Sequence, residues 1–276
     1  MEDYQLKDGT ALPKIGFGTY KLNGTAGVRA MVSAMDQGYR LIDSAYNYEN
    51  EGAVGAAIQQ TSVPRSQLLI TSKLPGRYYQ QADAIAAIQE SLYRMHLDYF
   101  DLYLLHWPNP KRDQYVEAWQ TLIDAQRFGL VRSIGVCNFL PDYLDRLTTE
   151  TGVTPVVNQI ELHPRFNQAE QRAYDQQAGI ITQAWSPLGR AQHLNQQPVL
   201  SELAAKYGKD KGQIILRWEL QLGVLPIPKS ATPSRQASNL AVFDFELSEA
   251  DMNAINQLTQ PDGRNKNQDP AVYEEF

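Results

Sequence analysis

Four polar residues stand at or just past the ends of apolar runs in this chain: Asp43, Tyr48, Lys73 and His106. They fall in LIDSAYNYENE (41–51), LLITSKLP (68–75) and DLYLLHWP (101–108). A carboxylate, a phenol, an ammonium and an imidazole at successive strand ends form a set suited to moving a proton. Taken singly, three of them have plainer readings: a turn cap for Asp43, one more loop tyrosine for Tyr48, a structural histidine for His106. Lys73 ends an otherwise apolar run, where a charge is costly unless paired, and Asp43 is the candidate partner. An ammonium beside Tyr48 is expected to favour the phenolate and to lower its pKa from ~10. That would make Tyr48 a usable acid near neutral pH. A neutral imidazole at His106 is expected to donate a hydrogen bond to a carbonyl oxygen. The set suits protonation of an alkoxide as it forms. It contains no nucleophile–base pair of the serine–histidine kind.

Such a set works only if the strand ends converge. Short β-rich runs occupy 15–19, 39–43, 68–73, 100–106, 133–137, 156–161, 179–185 and 224–229, each followed by a stretch of helical character. The clearest helices are expected at 79–96, 113–128, 167–177 and 248–258. Ser248 precedes an acidic first turn, Pro141 and Asp142 suit a helix start, and Gly129 and Gly179 suit helix ends. Before these units, YQL, Asp8-Gly9 and TALP read as a hairpin. Eight βα units without a composition break predict a single (β/α)8 TIM barrel over 1–276, with 262–276 as an irregular C-terminal tail. In a barrel, polar residues at the C-terminal strand ends meet at one mouth. The competing fold is a doubly wound open sheet. Its Gly-x-Gly-x-x-Gly fingerprint fails here, because Gly16-Phe17-Gly18-Thr19-Tyr20-Lys21 lacks the third glycine.

The 276 residues carry 25 Lys plus Arg against 31 Asp plus Glu, a formal charge of −6, which argues against nucleic-acid or anionic-membrane partners. With 43% hydrophobic and 20% charged residues the composition is that of a globular protein. No run of 18 apolar residues exists, and the N-terminus lacks a signal-peptide pattern, so no membrane span is expected. Cys137 is the one cysteine, which excludes an intrachain disulfide and fits a reducing cytoplasm. Glu161 and His163 are too few for a metal site, and no metal is expected.

Further runs complete a resemblance. GYRLIDSAYNYENE (38–51), TSKLP (71–75), LLHWP (104–108), GVCNF (135–139), VNQIELHP (157–164), WSPLG (185–189) and IPKSATPSRQASN (227–239) occur in this order. Together they resemble the aldo-keto reductases, in particular small bacterial members such as the 2,5-diketo-D-gluconate reductases. The resemblance implies NADPH-dependent reduction of a small-molecule carbonyl by a monomer. It implies that Asp43, Tyr48, Lys73 and His106 are the catalytic tetrad, with Tyr48 the proton donor. It places Cys137, Asn138, Gln159 and Trp185 at the nicotinamide, with Trp185 as the stacking aromatic, and counts Ser186 and Leu188 among the cofactor-binding residues. It places Lys229, Ser230, Arg235 and Asn239 around the adenosine 2′-phosphate and adenine of NADPH/NADP+. Tyr20, Trp107 and Asn109 would line the substrate pocket. Cys137 departs from the serine usual there, Ser238 from a frequent glutamate, and the segment from Trp107 to Tyr115 is short for a lid. The alternative is an NADPH-binding sensor or regulatory subunit on the same barrel with little turnover.

Overall fold

The computed structural model describes residues 3–189, 196–261 and 263–275. A hairpin comes first: β1 (Tyr4–Gln5) pairs antiparallel with β2 (Ala11–Leu12), Tyr4 opposite Leu12. Gly9, at φ 88°, takes the left-handed turn position that glycine adopts without steric cost. Leu6 and Leu12 then join the interior cluster of the barrel, and Thr10 Oγ1 lies 2.9 Å from Ser133 Oγ. The hairpin thus covers the N-terminal end of the strands, opposite the mouth.

Eight parallel strands follow: β3 (Phe17–Gly18), β4 (Leu41–Asp43), β5 (Leu69–Leu74), β6 (Phe100–Leu105), β7 (Val131–Cys137), β8 (Val157–Glu161), β9 (Ile181–Trp185) and β10 (Leu225–Pro226). Each pairs with its sequence neighbour. The helices between them are α1 (Gly24–Asp36), α2 (Glu51–Gln60), α3 (Gln81–Met95), α4 (Tyr115–Arg127), α5 (Pro141–Thr151) and α6 (Ala169–Ala178). Two helices, α7 (Pro198–Tyr207) and α8 (Lys211–Gln221), separate β9 from β10, and α9 (Pro233–Leu240) and α10 (Glu249–Asn256) come last. Ser248 caps α10 in a reciprocal box with Asp251, and Gly179 ends α6 at φ 65°.

The seam between β3 and β10 closes the barrel. Gly16 N–H donates to Pro226 O at 3.0 Å and Gly18 N–H to Pro228 O at 3.1 Å, while Ile227 N–H donates back to Ala184 O of β9 at 3.1 Å. Pro226 and Pro228 have no N–H to offer, so the regular ladder is shorter than the expected 224–229, yet their carbonyls serve the closure.

Strand alternation decides which side chains reach the interior. In β6, Leu102 and Leu104 face inward and Tyr103 and Leu105 face the helices. In β5, Ile70 and Leu74 pack outward, so Lys73 points in. The same period sends Leu41 and Asp43 of β4, Cys137 of β7 and Val157 and Gln159 of β8 toward the axis. Leucines and valines fill the lower layers; polar groups crown them.

The expected polar tail forms no helix or strand over 263–275, and Asp262 and Phe276 lie outside the described residues. It nevertheless packs against the mouth.

Candidate active site

The crown is built around one ammonium. Lys73, fully buried, places Nζ 2.6 Å from Asp43 Oδ1 and 2.8 Å from Ser44 O. The second oxygen of Asp43 accepts from Gln159 Nε2 at 2.8 Å, and Gln159 also reaches Gln183 Oε1 at 3.1 Å. Burial alone would push Lys73 toward neutrality, but Asp43 and then Tyr48 outweigh it, so the group is held above the usual lysine range and stays charged.

Tyr48 lies five residues past the end of β4, in a short 3-10 turn over Tyr46–Tyr48. Its ring packs edge-on against Tyr20 at 5.1 Å and His106 at 6.1 Å, with Lys73 Nζ 5.2 Å from its centroid. The expectation of a lowered phenol pKa is not met. Burial pushes Tyr48 up to about 12, Lys73 pulls it back only in part, and Asp43 and Cys137 add to the rise. The ammonium is present as expected; desolvation is the larger effect. Tyr48 is accordingly a protonated donor at neutral pH.

Above these residues opens a cavity of roughly 510 Å³. Asp43, Tyr48 and His106 reach its wall, and Lys73 sits beneath. On the β7–β9 side, Cys137 and Gln159 form the floor and Trp185, Ser186 and Leu188 the wall. Asn138 is held left-handed at φ 64°; its amide accepts from Trp185 Nε1 at 2.8 Å and donates to His106 O at 3.1 Å. Trp185 is half-buried and lines the cavity rather than disappearing into the core. Cys137 is buried, and this pushes its thiol well above the usual range despite Lys73. Lys229 is exposed at the rim. Ser230, Arg235 and Asn239 lie beyond it, on α9 and the turn before it; Arg235 is exposed, and Ser230 Oγ receives Thr232 N–H at 3.1 Å.

Tyr20 and Trp107 line the cavity. Asn109, expected beside them, does not. It is fully buried at φ 48°, and its amide pairs with the backbone of Glu275: Asn109 Nδ2 donates to Glu275 O at 3.1 Å and Glu275 N–H to Asn109 Oδ1 at 2.9 Å. Sequence reasoning missed this segment. Tyr273 packs on Trp107 with centroids 4.5 Å apart, and Glu275 sends its carboxylate to the mouth. Glu275 Oε1 lies 2.6 Å from both Asn47 Nδ2 and His106 Nδ1, and Oε2 accepts Gly76 N–H at 3.2 Å. Burial would raise this carboxyl, yet His106, Gly76 and Asn47 hold it below the usual range. The cue in the sequence was VYEEF, an aromatic and acidic cluster inside a polar tail.

The Glu161–His163 pair is a structural latch. His163 Nε2 lies 3.1 Å from Glu161 Oε1, which also accepts Asn265 N–H at 2.7 Å.

This barrel, with a buried lysine–aspartate pair under a tyrosine and a histidine, belongs to the aldo/keto reductase family, whose model matches residues 14–260. The chain is 50% identical to 2,5-diketo-D-gluconic acid reductase B of a Corynebacterium species, over 98% of this chain and 97% of that one. It is 46% identical to the methylglyoxal reductase DkgA of Salmonella typhimurium, over 98% and 97%. Among solved structures, a mutant of Gox0644 in complex with NADPH superposes with a TM-score of 0.93 at 37% identity, covering 99% of this chain and 98% of that one.

Proposed function

We propose that the protein is an NADPH-dependent reductase of small aldehydes and ketones. One observation carries the reading: a protonated Tyr48 stands over the buried Lys73–Asp43 pair at the floor of a cavity walled by Trp185. NADPH, when bound, would supply the hydride for the carbonyl carbon. Tyr48 then gives its proton to the oxygen as negative charge develops there. The fixed charge of Lys73 stabilises the phenolate left behind, and Asp43 keeps that ammonium in place and charged. His106 orients the carbonyl oxygen.

The residues fit the cofactor. Trp185 offers a flat face, Asn138 and Gln159 offer amides, Ser186 and Leu188 complete that wall, and Cys137 lies under it. Lys229, Ser230, Arg235 and Asn239 flank the start of α9, where guanidinium, ammonium and backbone N–H groups suit a 2′-phosphate. Tyr20 and Trp107 would contact substrate. The names of the relatives make methylglyoxal and diketo sugar acids the first substrates to try. No residue from a second copy is needed to complete the cavity, which fits a monomer. A reductive cofactor and a buried thiol fit the cytoplasm.

The test follows NADPH oxidation with methylglyoxal, aromatic aldehydes, keto esters and diketo sugar acids, with NADH as the comparison cofactor. Turnover is expected with NADPH and much less with NADH. Tyr48→Phe should bind NADPH normally and lose about 10²–10⁴-fold in reduction, the usual worth of a general acid. Silence across the whole panel would favour a binding-only role, and near-normal rates in Tyr48→Phe would remove Tyr48 as the acid.

A further inference from the structure

We propose that Glu275 is a positioning residue for His106: it holds the proton of the imidazole on Nδ1 and turns Nε2 toward the cavity. Its kinetic consequence rests on the reductase reading above; the proton placement rests on geometry alone.

Nδ1 of His106 is buried, lies 2.6 Å from Glu275 Oε1 as a close charge contact, and makes no aligned hydrogen bond among the described residues. A carboxylate oxygen and an imidazole lone pair repel at this distance, so the contact calls for a proton on one of the two groups. It belongs to the imidazole, because the other contacts of the carboxylate are donors. Asn47 Nδ2 gives a hydrogen bond to Oε1 and Gly76 N–H gives one to Oε2. Such donors favour the ionised carboxylate, and Glu275 is held low. Behind Asn47, Arg77 Nη1 donates to Asn47 Oδ1 at 2.6 Å and fixes which way that amide points. A chain of four groups therefore runs from a half-buried guanidinium to the imidazole at the mouth. The backbone of Glu275 is pinned independently by the Asn109 amide, so the carboxylate is delivered at a set height.

The consequence for the site is chemical. With the Nδ1 proton committed to Glu275, the neutral ring offers a lone pair at Nε2 and the imidazolium offers a second N–H. Donation to a carbonyl oxygen is then a property of the imidazolium, not of the neutral ring expected from sequence. The charged and titratable groups around His106 are Asp43 of β4 and Tyr48 past it, Lys73 of β5, Tyr79 before α3, Cys137 of β7, and Glu275 itself; Lys266 faces the cavity from the same segment.

The test uses the full chain labelled with 15N-histidine. His106 is assigned among the four histidines with His106→Asn. At alkaline pH, where the ring is neutral, wild type is expected to show Nδ1 as the protonated nitrogen. In Glu275→Ala the ring should revert wholly or partly to the Nε2–H form. Glu275→Gln, which keeps the size and an acceptor oxygen, should retain more of the Nδ1–H form than Ala. With methylglyoxal, the loss of kcat as pH rises should be weaker in Glu275→Ala than in wild type, because its neutral ring can donate from Nε2, while NADPH affinity is unchanged and Glu275→Gln falls between. An Nε2–H ring in wild type, or identical spectra in wild type and Glu275→Ala, overturns the proposal. Absence of carbonyl turnover in wild type would instead refute the reductase reading, and the spectra would still decide the role of Glu275.

Discussion

Cys137 belongs to two environments at once. Its side chain packs with the apolar interior layer of Leu102, Leu104 and Val157, and it also reaches the cavity floor near Tyr48 and Lys73. Cys137→Ser separates these roles. In the free protein a hydroxyl in this apolar layer should cost about 1–3 kcal/mol and lower the melting temperature. With NADPH bound, the hydroxyl is a better donor than the thiol toward a carboxamide. NADPH affinity should therefore rise by the worth of one neutral hydrogen bond, about 0.5–1.5 kcal/mol. Calorimetry and thermal melts of the same variant decide this; loss of both affinity and stability would assign Cys137 to packing alone. At this scale the sequence showed which charges would meet, and Lys73 did find Asp43. It could not show how deep they lie. Tyr48 rises rather than falls because depth, set by the whole barrel, outweighs a single neighbouring charge.

At the scale of elements, the strands were legible for a physical reason. A parallel strand covered on both faces reads as a short apolar run, and Leu41–Asp43, Phe100–Leu105 and Val157–Glu161 all fall inside the expected runs. Helix ends announced themselves through Ser248 and Gly179, whose preferences are local. The pair of helices α7 and α8 in one connection carries local marks of the same kind, Pro198, Gly208 and the Asp210–Gln213 capping box, but these went unread in the sequence. Helix α8 carries an anomaly of its own. Glu219 is fully buried, both its carboxyl oxygens lack a partner among the described residues, and burial raises it well above the usual carboxylate range. A carboxyl raised on folding favours the native state when protonated. The favourable contribution is complete below the unfolded value of ~4.3 and is lost as pH rises toward the folded value. At neutral pH Glu219 is a penalty. Glu219→Leu, which fills a similar volume without polar atoms, should raise stability at pH ~7 by about 1–3 kcal/mol. The gain should shrink as pH falls toward ~5. Thermal melts across that range check both the sign and the slope.

For the whole molecule, the segment 263–275 ties the ends of three strands together. Its contacts with Asn47, Gly76, His106 and Asn109 span sequence separations of 166 to 228 residues where hydrogen bonds are made. No local pattern encodes such contacts, which is why a polar tail was foreseen and a site wall was not. Gly76 is the tightest point. A Cβ there would lie 1.6 Å from Asn109 Nδ2 and 2.6 Å from Asn109 Cγ, so the Asn109 side chain must leave. Gly76→Ala should free the backbone of Glu275, make the segment more sensitive to limited proteolysis, and slow reduction. NADPH binding should persist, because the residues proposed to hold the cofactor stand on the β7–β10 side. A variant with a wild-type digestion pattern and rate would show that the segment is held by other means.

The seam between β3 and β10 also fixes an order of events. Strands β3 to β10 pair with sequence neighbours, so the curved sheet can grow from one edge as the chain emerges. Gly16 and Gly18, by contrast, wait some 210 residues for the carbonyls of Pro226 and Pro228. Until that segment arrives, the first strand is an open edge and the mouth has no circumference. Closing so large a loop carries its entropic cost before any contact repays it. The mouth therefore forms late, with the last strand, and the wall carrying Glu275 can settle only on a ring already shut.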